Sequence, residues 1–137
     1  HMINLYKLDP YLFFIGRLLL GLYFLLPGIS KIPSYSQTLL LMISKDVPLD
    51  QIALLITIFL QIFFGTLLIL NRNLRISCIF LFILTILINF YIHDFWNLTG
   101  DSTQGHETQN FVKNLGIAAG LLILATKDSR NLQNKSS

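Results

Sequence analysis

The sequence predicts an all-α integral membrane protein: a four-helix transmembrane bundle with an outer interfacial segment between helices 1 and 2. Three observations carry that prediction. Hydrophobic residues fill 53 % of the 137 positions and charged residues only 12 %, against ~25 % charged in soluble domains. Mean hydropathy is +0.63, which excludes a soluble globular domain and a disordered chain. Long runs carry no charge at all, and a spanning helix needs ~20 mainly apolar residues to cross ~30 Å of hydrocarbon. The length fits a single transmembrane domain over 1–137.

The first span covers about residues 11–30 and holds Arg17 within it. Asp9-Pro10 supplies an N-cap followed by proline at the first helical position, and Pro27-Gly28 is expected to kink or end the helix. That run is too long, and too poor in small residues at its end, for a cleaved signal peptide. Residues 34–50 are long for a loop, and the run TLLLMI predicts an interfacial helix on the outer leaflet, stopped by Pro48. The second span, about 52–70, is free of charge, as is the body of the third, about 75–92. The polar stretch NLTGDSTQGHETQ then lies outside the hydrocarbon. Its Asn97-Leu98-Thr99 sequon matters only in a glycosylating compartment. The fourth span, about 110–126, is the weakest, because Lys113 must snorkel outward. Three spans with a re-entrant segment are the alternative.

Orientation follows from lysine and arginine. If both termini share a side, that side holds Lys7, Arg72, Arg75, Lys127, Arg130 and Lys135, against Lys31, Lys45 and Lys113 opposite. Six against three places both termini in the cytoplasm.

Composition also removes function classes. The net charge of +3 is too small for a nucleic-acid footprint. The lone Cys78 excludes an intramolecular disulfide framework, an iron–sulfur cluster and a thiolate zinc site, and is expected to serve packing. His1-Met2 resembles a cloning remnant, so His1 enters no site. No phosphate loop, nucleophile–base arrangement or carboxylate dyad is discernible, so no catalytic residue is assigned. His93-Asp94 and His106-Glu107 lack the helical spacing of a metal site, and none is assigned.

Two polar groups stand inside the apolar runs. Arg17 and Gln61 enter their spans from opposite ends to similar depths, so an Arg17–Gln61 contact is expected within the bundle; the alternative is snorkelling of Arg17 to the headgroups. A second group, Lys31, His93, Trp96, Glu107, Phe111, Lys113 and Asn114, gathers at the outer surface as a candidate ligand cleft. There Glu107 folds back on a loop to favour the charge of Lys113. The alternatives are headgroup contact for the lysines and an interfacial aromatic belt for Trp96, Tyr91 and Tyr35. Gly116-Ile-Ala-Ala-Gly120, with Gly16, Gly21 and Gly65, predicts close helix packing inside the bundle, ahead of homodimerisation.

Taken in order, these residues resemble the DoxX family of small four-helix bacterial membrane proteins. The first helix carries Arg17, Gly21, Gly28 and Lys31; Val47-Pro48 precedes the second; and Gln61, Gly65, Asn71 and Arg75 follow. His93-Asp94-Phe95-Trp96 ends the third helix, and Glu107, Phe111, Lys113, Asn114, Gly116 and Gly120 open the fourth. Gln61 stands where many members have glutamate, and Asn71 where they have glycine. The resemblance implies residence in the bacterial inner membrane and a link to quinone-reducing or detoxifying redox enzymes.

The function expected is therefore a non-catalytic subunit or scaffold of a membrane redox or stress-defence complex. It has no intrinsic cofactor, holds a quinone or lipid, and contacts the bilayer with a redox-enzyme partner or a second copy of itself. The alternatives are a small-molecule transporter or permease component and a purely structural membrane interaction protein.

Overall fold

The computed structural model describes residues 4–127. His1, Arg130 and Lys135 lie outside the described residues. A 3-10 turn at Leu5–Leu8 leads into α1 (Asp9–Ser30), followed by α2 (Tyr35–Ser44), α3 (Asp50–Leu70), α4 (Leu74–Tyr91), a 3-10 turn at Phe95–Asn97 and α5 (Gln104–Ala125). The fold is all helical among these residues. Three stretches, Leu5–Ser30, Asp50–Leu70 and Leu74–Asn97, are long and apolar enough to cross a membrane.

Helix ends follow local chemistry, with three departures from expectation. Asp9 does not cap α1: the helix begins at Asp9 itself, Leu8 takes the cap position, and no side chain caps it. α2 stops before Pro48 because Asp46 turns left-handed, at φ 56°, and Val47 N–H returns to the Met42 carbonyl at 3.1 Å. α5 starts at Gln104 rather than near residue 110, since a polar sequence forms helix readily once backbone bonds are satisfied within the segment. Just before it, the Thr103 backbone N–H and hydroxyl each donate to the Asp101 carboxylate at 2.8 Å and hold that carboxyl below its ordinary range.

α3 ends in a Schellman motif. Asn71 is left-handed, at φ 56° and ψ 46°. The Arg72 N–H donates to the Leu67 carbonyl at 3.0 Å and the Asn71 N–H to Leu68 at 3.3 Å. Glycine is the usual residue in that conformation because it has no Cβ, and asparagine is among the few that tolerate it.

In packing order the helices run α1, α3, α4, α5, and α1 and α5 meet at few points. The α1–α3 seam is the tightest. A Cβ on Gly21 would lie 2.5 Å from Ile69 Cγ1, and one on Gly28 would lie 2.9 Å from Gln61 Cβ. The glycines thus bring the two backbones together. Gly16 and Gly116 meet nothing within 4 Å, and the nearest atom to Gly120 is Leu20 Cδ1 at 3.8 Å. The Gly116–Gly120 pattern therefore does not make the close internal approach expected of it. Phe24, Phe64, Leu68, Leu81 and Leu121 form the buried centre.

Candidate ligand-binding site

The α1–α3 register decides where the intramembrane polar groups go. Gly28 lies against Gln61 and Ile62, whereas Gly21 lies against Gly65 and Ile69. Arg17 is eleven residues before Gly28, or ~16 Å along the helix. The expected Arg17–Gln61 contact is accordingly replaced by two others. Arg17 Nη1 donates to the Leu68 and Ile69 carbonyls, each at 2.9 Å. It supplies further donors to the last turn of α3, where the Leu68 carbonyl already accepts from the Asn71 N–H and the helix dipole is negative. The Arg17 guanidinium also sits 4.9 Å over the Phe13 ring and 5.7 Å over Phe14. The side chain is buried, so it does not snorkel to water. Gln61 instead accepts from Lys31 Nζ at 3.0 Å. Lys31, at the end of α1, lays its stem along the helix and brings its ammonium down to the amide.

Lys31 borders a cavity of about 730 Å³ between α2, α3 and α4. Met42, Leu54, Leu60, Leu84 and Ile88 supply apolar wall, and Lys31, Ser34, Thr38 and His93 bring polar groups to it. An apolar slot with a few polar groups is the usual make-up of a small-molecule site. His93 is held from behind. Its Nδ1 lies 2.8 Å from Glu107 Oε2, and Glu107 Oε1 accepts from Asn110 Nδ2 at 3.2 Å. A carboxylate only accepts, so this pairing puts the proton on Nδ1 and leaves Nε2 an acceptor when the ring is neutral.

The remaining residues of the expected cleft separate. Glu107 is on α5 rather than on a loop, and its partner is His93, not Lys113. Trp96 and Phe111 do meet, with ring centroids 5.8 Å apart, and Phe90 and Phe95 complete an aromatic cluster. Lys113 is exposed. Asn114, one residue on and so rotated by ~100°, is buried and accepts from the Tyr23 hydroxyl at 2.6 Å. That bond ties α5 to α1.

Two features escaped the sequence reading. Lys45 Nζ pairs with Asp94 Oδ1 at 2.9 Å, pinning the end of α2 to the end of α4. Asn89, almost fully buried, donates to the Phe111 carbonyl at 3.1 Å, and its Oδ1 has no partner. An amide inside a charge-free run was the available signal, as it was for Gln61.

Two comparisons with known proteins give a match. The family model described as DoxX matches residues 12–94. The inner membrane protein YphA of Escherichia coli (strain K12) is 31 % identical over 119 residues, covering 85 % of this chain and 82 % of that protein. No solved structure matches the chain.

Proposed function

The chain belongs to the DoxX family and is an integral membrane protein; on that premise we propose that it is a non-catalytic subunit or scaffold of a membrane redox or stress-defence complex, holding a quinone or lipid between α2, α3 and α4. The observation that carries the reading is the cavity of about 730 Å³ bordered by both Lys31 and His93. A quinone needs a polar contact at each ring oxygen and an apolar slot for its tail. The Lys31 ammonium donates to a ring carbonyl of the oxidised form, and the His93 Nε2, with its tautomer set by Glu107, accepts from a hydroxyl of the reduced quinol. A lipid headgroup uses the same ammonium donor and imidazole acceptor. The reading thus centres on Lys31, His93 and Glu107, with Trp96, Phe111, Lys113 and Asn114 outside the cavity lining.

In this reading α5 is a fourth crossing. Its 22 residues span ~33 Å, and from Phe111 onward only Lys113 is charged. Both termini lie in the cytoplasm, α2 rests on the outer leaflet, and the cavity opens toward the outer side. In this reading a redox-enzyme partner supplies the electrons.

The test is extraction of organic-soluble molecules from protein purified in mild detergent. Wild type is expected to carry a quinone or lipid that survives washing, while Lys31→Ala and His93→Ala lose most of it and stay folded. Undiminished retention in both variants overturns the site.

A further inference from the structure

A second groove lies at the opposite end of the bundle, between α1 and α5, with a volume of about 630 Å³. Leu12, Phe13, Leu20 and Ile123 give it apolar walls, and Arg17 and Lys127 bring positive charge to it. Gly16 and Gly120 line it as well. A Cβ on Gly16 would meet nothing within 4 Å, so these glycines leave a slot rather than a helix contact.

The charge in this groove is incompletely matched. Arg17 is 7 % exposed, bonds only backbone carbonyls through Nη1, and leaves Nε without any partner. Carbonyl dipoles offset part of a buried guanidinium's charge but provide no counter-ion. Asp9, the acid in the groove, lies eight residues from Arg17, ~12 Å along α1, and forms no ion pair with it.

We propose that this groove seats an anionic phospholipid, its phosphodiester between Arg17 and Lys127 and one acyl chain in the slot left by Gly16 and Gly120. The phosphate supplies a counter-charge that no described residue gives Arg17, and a charge-assisted bond to guanidinium is the strongest kind available to it. A free anion would leave the apolar walls unused. The occupant is therefore the lipid, which fills both halves of the site.

Native mass spectrometry of the full chain, exchanged into mixed detergent micelles with phosphatidylglycerol and phosphatidylcholine, tests this. Wild type is expected to retain phosphatidylglycerol at least about fivefold over phosphatidylcholine, in line with ~1 kcal/mol for each basic residue near an anionic surface. Gly16→Leu adds bulk to the slot, where a Cβ meets nothing within 4 Å, and Lys127→Gln removes one charge. Each should lower phosphatidylglycerol retention by about fivefold while the thermal midpoint of the delipidated protein stays put. Equal retention of the two lipids by wild type, or unchanged retention in either variant, overturns the proposal. So does full displacement by inorganic phosphate, which would make the groove a site for free anions.

Discussion

Gly21 and Gly65 face one another backbone to backbone: a Cβ on Gly21 would stand 2.8 Å from the Gly65 carbonyl oxygen, and one on Gly65 would stand 3.0 Å from that of Gly21. These carbonyl oxygens are backbone atoms, which cannot rotate away as the Ile69 side chain near Gly21 could, so an added methyl must push the helices apart. Gly65→Ala and Gly21→Ala are each expected to cost about 1–3 kcal/mol, the range for overpacking a close interface. Gly116→Ala, which meets open space, should be neutral or slightly stabilising. Thermal unfolding in detergent, followed through the single Trp96, separates the two groups. Equal midpoints would show that the seam is not limiting.

Arg17 closes the end of α3, and the loss of its two bonds sets the scale for Arg17→Leu. Each hydrogen bond to a charged group is worth about 1.5–3 kcal/mol. Arg17→Leu should therefore lower stability by several kcal/mol, and Arg17→Lys, which keeps the charge with a shorter reach, by less. A leucine variant as stable as wild type would contradict the capping role.

The left-handed Asn71 permits a backbone test free of side-chain contacts. Asn71→Gly should match or exceed wild type, because glycine adopts φ 56° without penalty. Asn71→Val should lose about 1–2 kcal/mol from the clash between Cβ and the carbonyl. Stability measured alongside Arg17→Leu will show whether the two closures of α3 act independently.

Gln61→Glu places a carboxylate beside the Lys31 ammonium, which now lies 3.0 Å from the amide oxygen. The added charge gains a partner already in place, so the variant is expected to remain within about 1 kcal/mol of wild type or to surpass it. In a Lys31→Met background the same substitution leaves a carboxylate unpaired and should destabilise clearly. A double-mutant cycle on thermal midpoints reads the coupling. A cycle that closes to zero would dissociate Lys31 from Gln61.

The helices were legible because hydrocarbon length and absence of charge constrain the sequence strongly, and three of the expected spans fall within a few residues of α1, α3 and α4. The positions of Arg17 and Gln61 were legible too, at the level of polar groups in apolar runs, whereas Asn114, expected at an outer cleft, is buried against α1. The partners of Arg17 and Gln61 were not legible. Leu68 and Ile69 receive Arg17 through backbone oxygens, which every residue carries, so no letter in the sequence marks them. The relative sliding of α1 and α3 was equally hidden, since it is fixed by which glycines meet. Glu107 was placed on a loop because polarity reports contact with water, and water is compatible with helix as well as coil.

The bond between Arg17 and Leu68 joins residues 51 positions apart. At ~5–20 residues per second of synthesis, α1 leaves the ribosome several seconds before the carbonyls that receive Arg17 exist. For that interval its guanidinium has no acceptor within the nascent chain and must be accommodated by water, by lipid phosphate or by the insertion machinery. Completion of α3 supplies those carbonyls, so the buried position of Arg17 exists only once a helix made much later stands beside the first.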